Sequence, residues 1–175
     1  MKSQHLYLTG YRGCGKSSVA KQLAEQLDLP CVDLDDLIES EAGCSITEIF
    51  EAEGESGFRE RESQALLTLS DSPSHVIALG GGAILRAANR TVIAATGWCV
   101  WLDADPKVIA ERLAGDDSTG ARRPSLTGMS PTDEIVAVMS QREPLYRQAA
   151  DYSIDTTHRS ISEISLEVAA AFRGL

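Results

Sequence analysis

Gly10-Tyr11-Arg12-Gly13-Cys14-Gly15-Lys16-Ser17 decides how the rest of this chain is read. A short apolar run, Leu6-Tyr7-Leu8, precedes it, and an amphipathic pattern, Val19, Leu23, Ala24 and Leu27, follows. The order is strand, glycine-rich turn, helix. The spacing G-x-x-x-x-G-K-S fits a phosphate-binding loop, and the chemistry explains the composition. Glycines at 10, 13 and 15 let successive backbone N–H groups turn inward toward phosphate oxygens. The helix behind them offers its positive N-terminal end to the same anion. Lys16 can reach the terminal phosphates, and the Ser17 hydroxyl is placed to ligate Mg²⁺. An ordinary glycine turn has no need of every fixed position in this context, so nucleotide binding is the expectation.

The chain has 175 residues, which fits one domain over 1–175 with a small insertion at most. Apolar residues make up 43% and charged residues 24%, ordinary for a soluble globular protein. Sixteen basic and 26 acidic residues leave a net charge of −10. Such a surface argues against nucleic acid or an anionic membrane as the main partner, while leaving room for a local basic pocket. Cys14, Cys31, Cys44 and Cys99 show neither C-x-x-C pairing nor metal spacing. Cys31 and Cys99 lie in apolar strand-like runs and are expected to be buried thiols. The N-terminus carries no apolar signal core, and no window approaches a membrane span. A reduced, cytoplasmic protein is expected. No heptad or apolar patch demands a partner, so a monomer is expected.

Further along, Cys31-Val32-Asp33-Leu34-Asp35-Asp36 reads as a short strand ending in carboxylates. Two residues apart on a strand, Asp33 and Asp35 would share a face. They either line a ligand crevice at the strand ends or cap the helix that follows, with Asp35 and Asp36 in its first turn. Ser45 with Glu48 forms a capping box. Phe58, Glu62, Ala65, Leu66 and Leu69 follow helical spacing. Arg59 and Arg61 either pair with neighbouring glutamates on a solvated face or reach an anionic substrate; the residues by themselves favour the former. His75–Leu79 reads as a strand running into Gly80-Gly81-Gly82, which is either a tight turn or a bare backbone that a ligand can approach.

Trp98–Leu102 reads as a buried strand, and Asp105-Pro106 opens a helix. The segment 115–128 has three glycines and no apolar period. It reads as a mobile loop, with Arg122-Arg123-Pro124 as either a phosphate-covering lid or an exposed tip. Ser130-Pro131 opens a long helix that Pro144 should kink or end. Tyr152–Asp155 is the last strand, and Ser160 with Glu163 caps a final helix whose inner face is expected to include Ile161, Ile164 and Val168. Five strands alternate with helices, so the expected fold is α/β, a three-layer sandwich around a five-stranded parallel sheet.

A GTPase should carry N-K-x-D, which is absent, and D-x-x-G occurs only as Asp117–Gly120 in a polar loop. A kinase acting on a small hydroxylated acid accounts for more residues. It needs a phosphate cradle, a carboxylate to orient the acceptor hydroxyl, arginines for the acid, and a lid that excludes water.

GYRGCGKSS, VDLDD, GFRERE, GGG, RRPSLTG and REPLYRQ follow one another in an order and spacing that resembles the shikimate kinase family over nearly the whole length. That resemblance implies a P-loop nucleoside-triphosphate kinase fold with a substrate-binding helical insertion near 33–62 and a lid near 115–128. It implies phosphoryl transfer from ATP, with Mg²⁺, to the 3-hydroxyl of shikimate on the way to chorismate. By resemblance, Gly13, Cys14, Gly15, Lys16, Ser17 and Ser18 hold the ATP phosphates. Ser17 and Asp33 serve the metal, and Asp35 takes the substrate hydroxyls and orients or deprotonates the nucleophile. Arg59 and Arg142 hold the substrate carboxylate, and Gly81 and Gly82 meet substrate. Arg123 is the lid arginine and Arg159 belongs to the adenine-side loop. The resemblance reverses the reading of Arg59 from surface pair to ligand. Leu79 stands where the family often has Ser or Thr, which shifts more of the metal shell onto Asp33.

Overall fold

A computed structural model describes residues 4–115 and 130–175. Five strands form one parallel sheet in the order β2-β3-β1-β4-β5: β1 His5–Thr9, β2 Cys31–Asp33, β3 Val76–Ala78, β4 Gly97–Asp103 and β5 Tyr152–Asp155. The helices are α1 Lys16–Leu27, α2 Leu34–Ala42, α3 Ile46–Ser70, α4 Ala87–Thr96, α5 Pro106–Ala114, α6 Pro131–Ala149 and α7 Ile161–Arg173, with a 3₁₀ turn at Ala83–Leu85. The expected α/β sandwich is therefore the observed one.

All five residues of β1 are buried, as a central parallel strand covered on both faces requires. Alternation along the strands divides the core. Leu6, Leu8, Val100 and Leu102 pack with Val19 and Leu23 of α1 and with Ile164 and Val168 of α7. Tyr7, Ile77, Cys99 and Trp101 pack on the other face with Phe58 and Leu66 of α3, Ile93 of α4 and Tyr146 of α6. Each such side chain removes enough apolar surface from water to contribute about 1.5–3 kcal/mol.

Four local expectations are corrected. The second strand stops at Asp33, because its partner β3 is itself only three residues long. Asp35 consequently lies with Asp36 in the first turn of α2, as the capping alternative expects, and Asp33 is the cap. Cys31 is exposed on that edge strand, whereas Cys99 is buried. Ile161, first in α7, is 42% exposed. Helix α6 does not end at Pro144. Glu143 clasps Arg147 across that position at 2.8 and 3.0 Å, and Tyr146 is anchored in the core. In α3 the backbone leaves helical geometry at Gly54 (φ 69°, ψ −176°), which re-aims the half carrying Phe58 and Arg59. Both capping boxes, Ser45/Glu48 and Ser160/Glu163, are formed. Among the described residues no helix is long and apolar enough to cross a membrane.

At the opposite end of β1 from the glycine loop, His5 is fully buried and its Nδ1 accepts the backbone N–H of His75 at 3.2 Å. Burial first, and then the neighbouring His75, lower its pKa, while a hydrogen bond with the Ser70 backbone opposes them. The unfolded chain therefore binds a proton here more readily than the native one. The contribution of neutral His5 to stability is complete near neutral pH and is lost as pH falls below about 6.5 toward the lower native value. Thermal melts between pH 7.5 and 5 should show a steeper acid loss in the wild type than in His5→Asn. Parallel curves would count against His5 as the titrating group.

Candidate active site

The turn between β1 and α1 has the geometry its sequence predicts. Gly13 and Gly15 adopt φ of 78° and 96°, and Gly15 caps α1 in a left-handed conformation with no side-chain cap. The first-turn N–H groups of α1 are thus left to an external acceptor, which is what an anion site needs. Cys14 is buried beneath the loop, while Ser17 and Ser18 are exposed on the first turn. Lys16 Nζ folds back onto the carbonyls of Gly10 (2.8 Å) and Tyr11 (2.9 Å).

Asp33 has two jobs. Its Oδ1 accepts from the N–H groups of Asp35 (3.0 Å) and Asp36 (3.4 Å), and its Oδ2 accepts from Ser17 Oγ at 2.5 Å. The cap uses one carboxylate oxygen and leaves the other facing Ser17. A hydroxyl and a carboxylate oxygen side by side at a phosphate loop fit magnesium, a hard cation bound through one or two protein oxygens plus phosphates. Among the described residues no group of three or more His, Cys, Asp or Glu could hold a metal alone.

Beside the loop, Gly80-Gly81-Gly82 gathers Asp35, Arg59 and Arg142. A Cβ added at Gly80 would lie 2.7 Å from Asp35 Oδ1 and 2.8 Å from Glu62 Oε1. At Gly81 it would lie 3.5 Å from Arg12 N and Gly10 O of the phosphate loop and 3.9 Å from Arg142 Nη1. At Gly82 it would meet Arg59 Nη2 at 2.5 Å and Cζ and Nη1 at 2.6 Å, so the guanidinium lies flat over that glycine. Arg59 is 8% exposed and donates to the fully buried Glu62 at 2.8 Å. Its Nε approaches Glu55 at 3.5 Å. Arg61, two residues on, instead forms an exposed pair with Glu53. Helix α3 thus separates the two readings of its arginines, one inward and one solvated. Arg142 Nη1 donates to Gly81 O at 3.2 Å.

This contact makes Gly82→Ala informative. The guanidinium is the end of a long side chain, but burial and Glu62 restrain it. The variant is expected to lose about 1–3 kcal/mol of stability through overpacking and to bind an anionic substrate more weakly. Calorimetric melting and KM for that substrate measure the two effects.

The loop at 156–159 is fastened to the phosphate loop. Thr156 Oγ1 reaches Cys14 O at 3.5 Å, and Arg112 donates to Thr156 O at 2.8 Å and approaches Gly13 O at 3.5 Å. Arg159 turns the other way and donates to Glu167 of α7 at 2.7 Å. Arg122 and Arg123 lie outside the described residues. A cavity of about 440 Å³ is lined by Trp101, Asp103, Met139, Glu143, Tyr146 and Asp155 among others, and by none of the predicted site residues. Glu62 is the helical partner that the spacing offers Arg59, but the pair is buried rather than solvated. Two further polar participants carry no sequence signal of their own: Arg112 belongs to no motif, and Tyr146 stands in REPLYRQ without an assigned role.

A phosphate loop at the strand ends of a parallel 2-3-1-4-5 sheet, with Asp35, Arg59 and Arg142 gathered at the adjoining glycine turn, is the arrangement of a P-loop kinase. A model of the family described as shikimate kinase matches residues 12–173. The chain is 64% identical over 171 residues to a protein named shikimate kinase from Rhodopirellula baltica, covering 98% of this chain and 91% of the relative. It is 41% identical to one from Symbiobacterium thermophilum, covering 94% and 93%. A solved shikimate kinase from Acinetobacter baumannii in complex with shikimate superposes with a TM-score of 0.90 at 34% identity, covering 98% of this chain and 94% of that one. The chain belongs to the shikimate kinase family.

Proposed function

We propose that this protein transfers the γ-phosphoryl group of ATP to the 3-hydroxyl of shikimate, giving shikimate 3-phosphate and ADP on the way to chorismate. The family match supports the reaction. The observation that carries it is the convergence of Asp35, Arg59 and Arg142 on the Gly80-Gly81-Gly82 turn against the phosphate loop.

Arg59 and Arg142 grip the substrate carboxylate, for which planar guanidinium groups offer parallel hydrogen bonds. Asp35 orients the acceptor hydroxyl and accepts its proton as the oxygen bonds to the γ-phosphorus. The bond from that phosphorus to the β–γ bridging oxygen breaks, and its electron pair leaves with ADP. The backbone of Gly13–Ser18 and the Lys16 ammonium hold the phosphates. Magnesium, held by Ser17 and Asp33 with the nucleotide, would neutralise charge on the phosphate oxygens. Arg123 is proposed to cover the transferring group, and Arg159 to serve the adenine side. Release of ADP with shikimate, gluconate, nucleoside monophosphates or no acceptor tests the reading. Turnover on shikimate alone is expected. Turnover on another acceptor with none on shikimate would sink it.

A further inference from the structure

The Gly81 carbonyl receives two donors from one helix. Arg142 Nη1 lies 3.2 Å away, and the Tyr146 hydroxyl lies 2.7 Å away. The two side chains sit four residues apart on α6 and so project from the same face. Tyr146 is buried, its ring stacks on Trp101 at 5.8 Å between centroids, and burial pushes its pKa up to about 12, so the hydroxyl remains a donor at working pH. The carbonyl belongs to the middle of the glycine turn that separates the phosphate loop from Arg142.

Resting on the proposed function, we infer that Tyr146 is the positioning residue of the substrate pocket. It keeps the Gly81 carbonyl bonded when Arg142 leaves that oxygen for the substrate carboxylate. The Arg142 bond to this oxygen is the longer of the two, 3.2 Å against 2.7 Å, so turning its fork squarely onto a carboxylate gives that bond up first. Without Tyr146, binding the carboxylate would strip a buried carbonyl of its donor, an outcome that is costly in a protein interior. With Tyr146 in place, Arg142 is released at little cost and the glycine turn stays where the substrate needs it. The hydroxyl therefore acts on the bound state more than on the free one, since Arg142 still satisfies the carbonyl before substrate arrives.

Tyr146→Phe tests this directly. Three outcomes are expected together: KM for shikimate rises about tenfold, in line with one buried acceptor losing its donor; calorimetric Kd for shikimate without ATP rises in parallel; and KM for ATP and the melting temperature of the free protein change little. Trp101→Phe, which keeps an aromatic partner and the hydroxyl, should leave the shikimate KM near wild type. The inference is overturned if Tyr146→Phe binds shikimate normally. It is equally overturned if the variant fails to fold, or loses shikimate and ATP affinity alike, since the hydroxyl would then be a general structural bond. A wild-type protein that neither binds nor phosphorylates shikimate would remove the functional reading itself, and this inference with it.

Discussion

Asp35→Asn is expected to lower kcat on shikimate by about 10²–10⁴-fold, the usual contribution of a positioned proton acceptor, with a much smaller change in KM. Asparagine has the same shape and can still hold the acceptor hydroxyl, but it cannot take the proton. The environment makes the substitution a clean one. Asp35 sits in the first turn of α2, where its N–H is already bonded to Asp33 Oδ1 at 3.0 Å. The cap is therefore Asp33, and it survives the change. What α2 loses is one negative charge near its N-terminus, worth about 0.3–1 kcal/mol, so the variant should remain folded. Steady-state kinetics with a parallel melting curve separate the outcomes. A kcat within a fewfold of wild type would reduce Asp35 to an orienting role. An Asp33 variant should behave differently, since Asp33 holds both the α2 cap and Ser17. Its loss should therefore lower stability and nucleotide-dependent activity together.

What could be read in the sequence was whatever is settled within a few residues. The glycine loop, the two capping boxes and the Asp105-Pro106 helix start are local chemistry, and all are present. So is the inward stripe of Phe58, Glu62, Ala65, Leu66 and Leu69 on α3. Where tertiary pairing decides, sequence was a poor guide. The end of β2 follows from the length of β3, more than forty positions away in the register Asp33↔Ala78. Pro144 sits inside a helix that the local Glu143–Arg147 pair and the tertiary burial of Tyr146 hold together, and the second of these is not legible from the neighbouring residues. Tyr146 meets Gly81 across 65 positions and Arg112 meets Thr156 across 44, and no periodicity foretells either. The family resemblance supplied Arg59 where local physics pointed to a surface pair. The structure gives the physical reason: its guanidinium is buried against Glu62 and the face of Gly82.

Arg59→Lys should raise KM for shikimate about tenfold or more, equivalent to about 1.5–3 kcal/mol for a charge-assisted contact, while kcat changes less. The charge is preserved, so the loss isolates the planar fork. A lysine ammonium is a compact point charge that cannot lie flat along Gly82 and offer parallel hydrogen bonds to a carboxylate while still facing Glu62. Arg59→Ala should be more severe and less specific. It removes one partner of a buried pair, which typically costs about 3–5 kcal/mol of stability, so its kinetic defect would be mixed with unfolding. The internal control lies two residues away on the same helix. Arg61 pairs with Glu53 in solvent, and Arg61→Ala should leave both KM values unaltered. If Arg59→Lys binds shikimate as the wild type does, or if Arg61→Ala matches its defect, then general charge on α3, and not a fork aimed at the substrate, governs binding. The grip on the acid would then have to be sought at Arg142 alone.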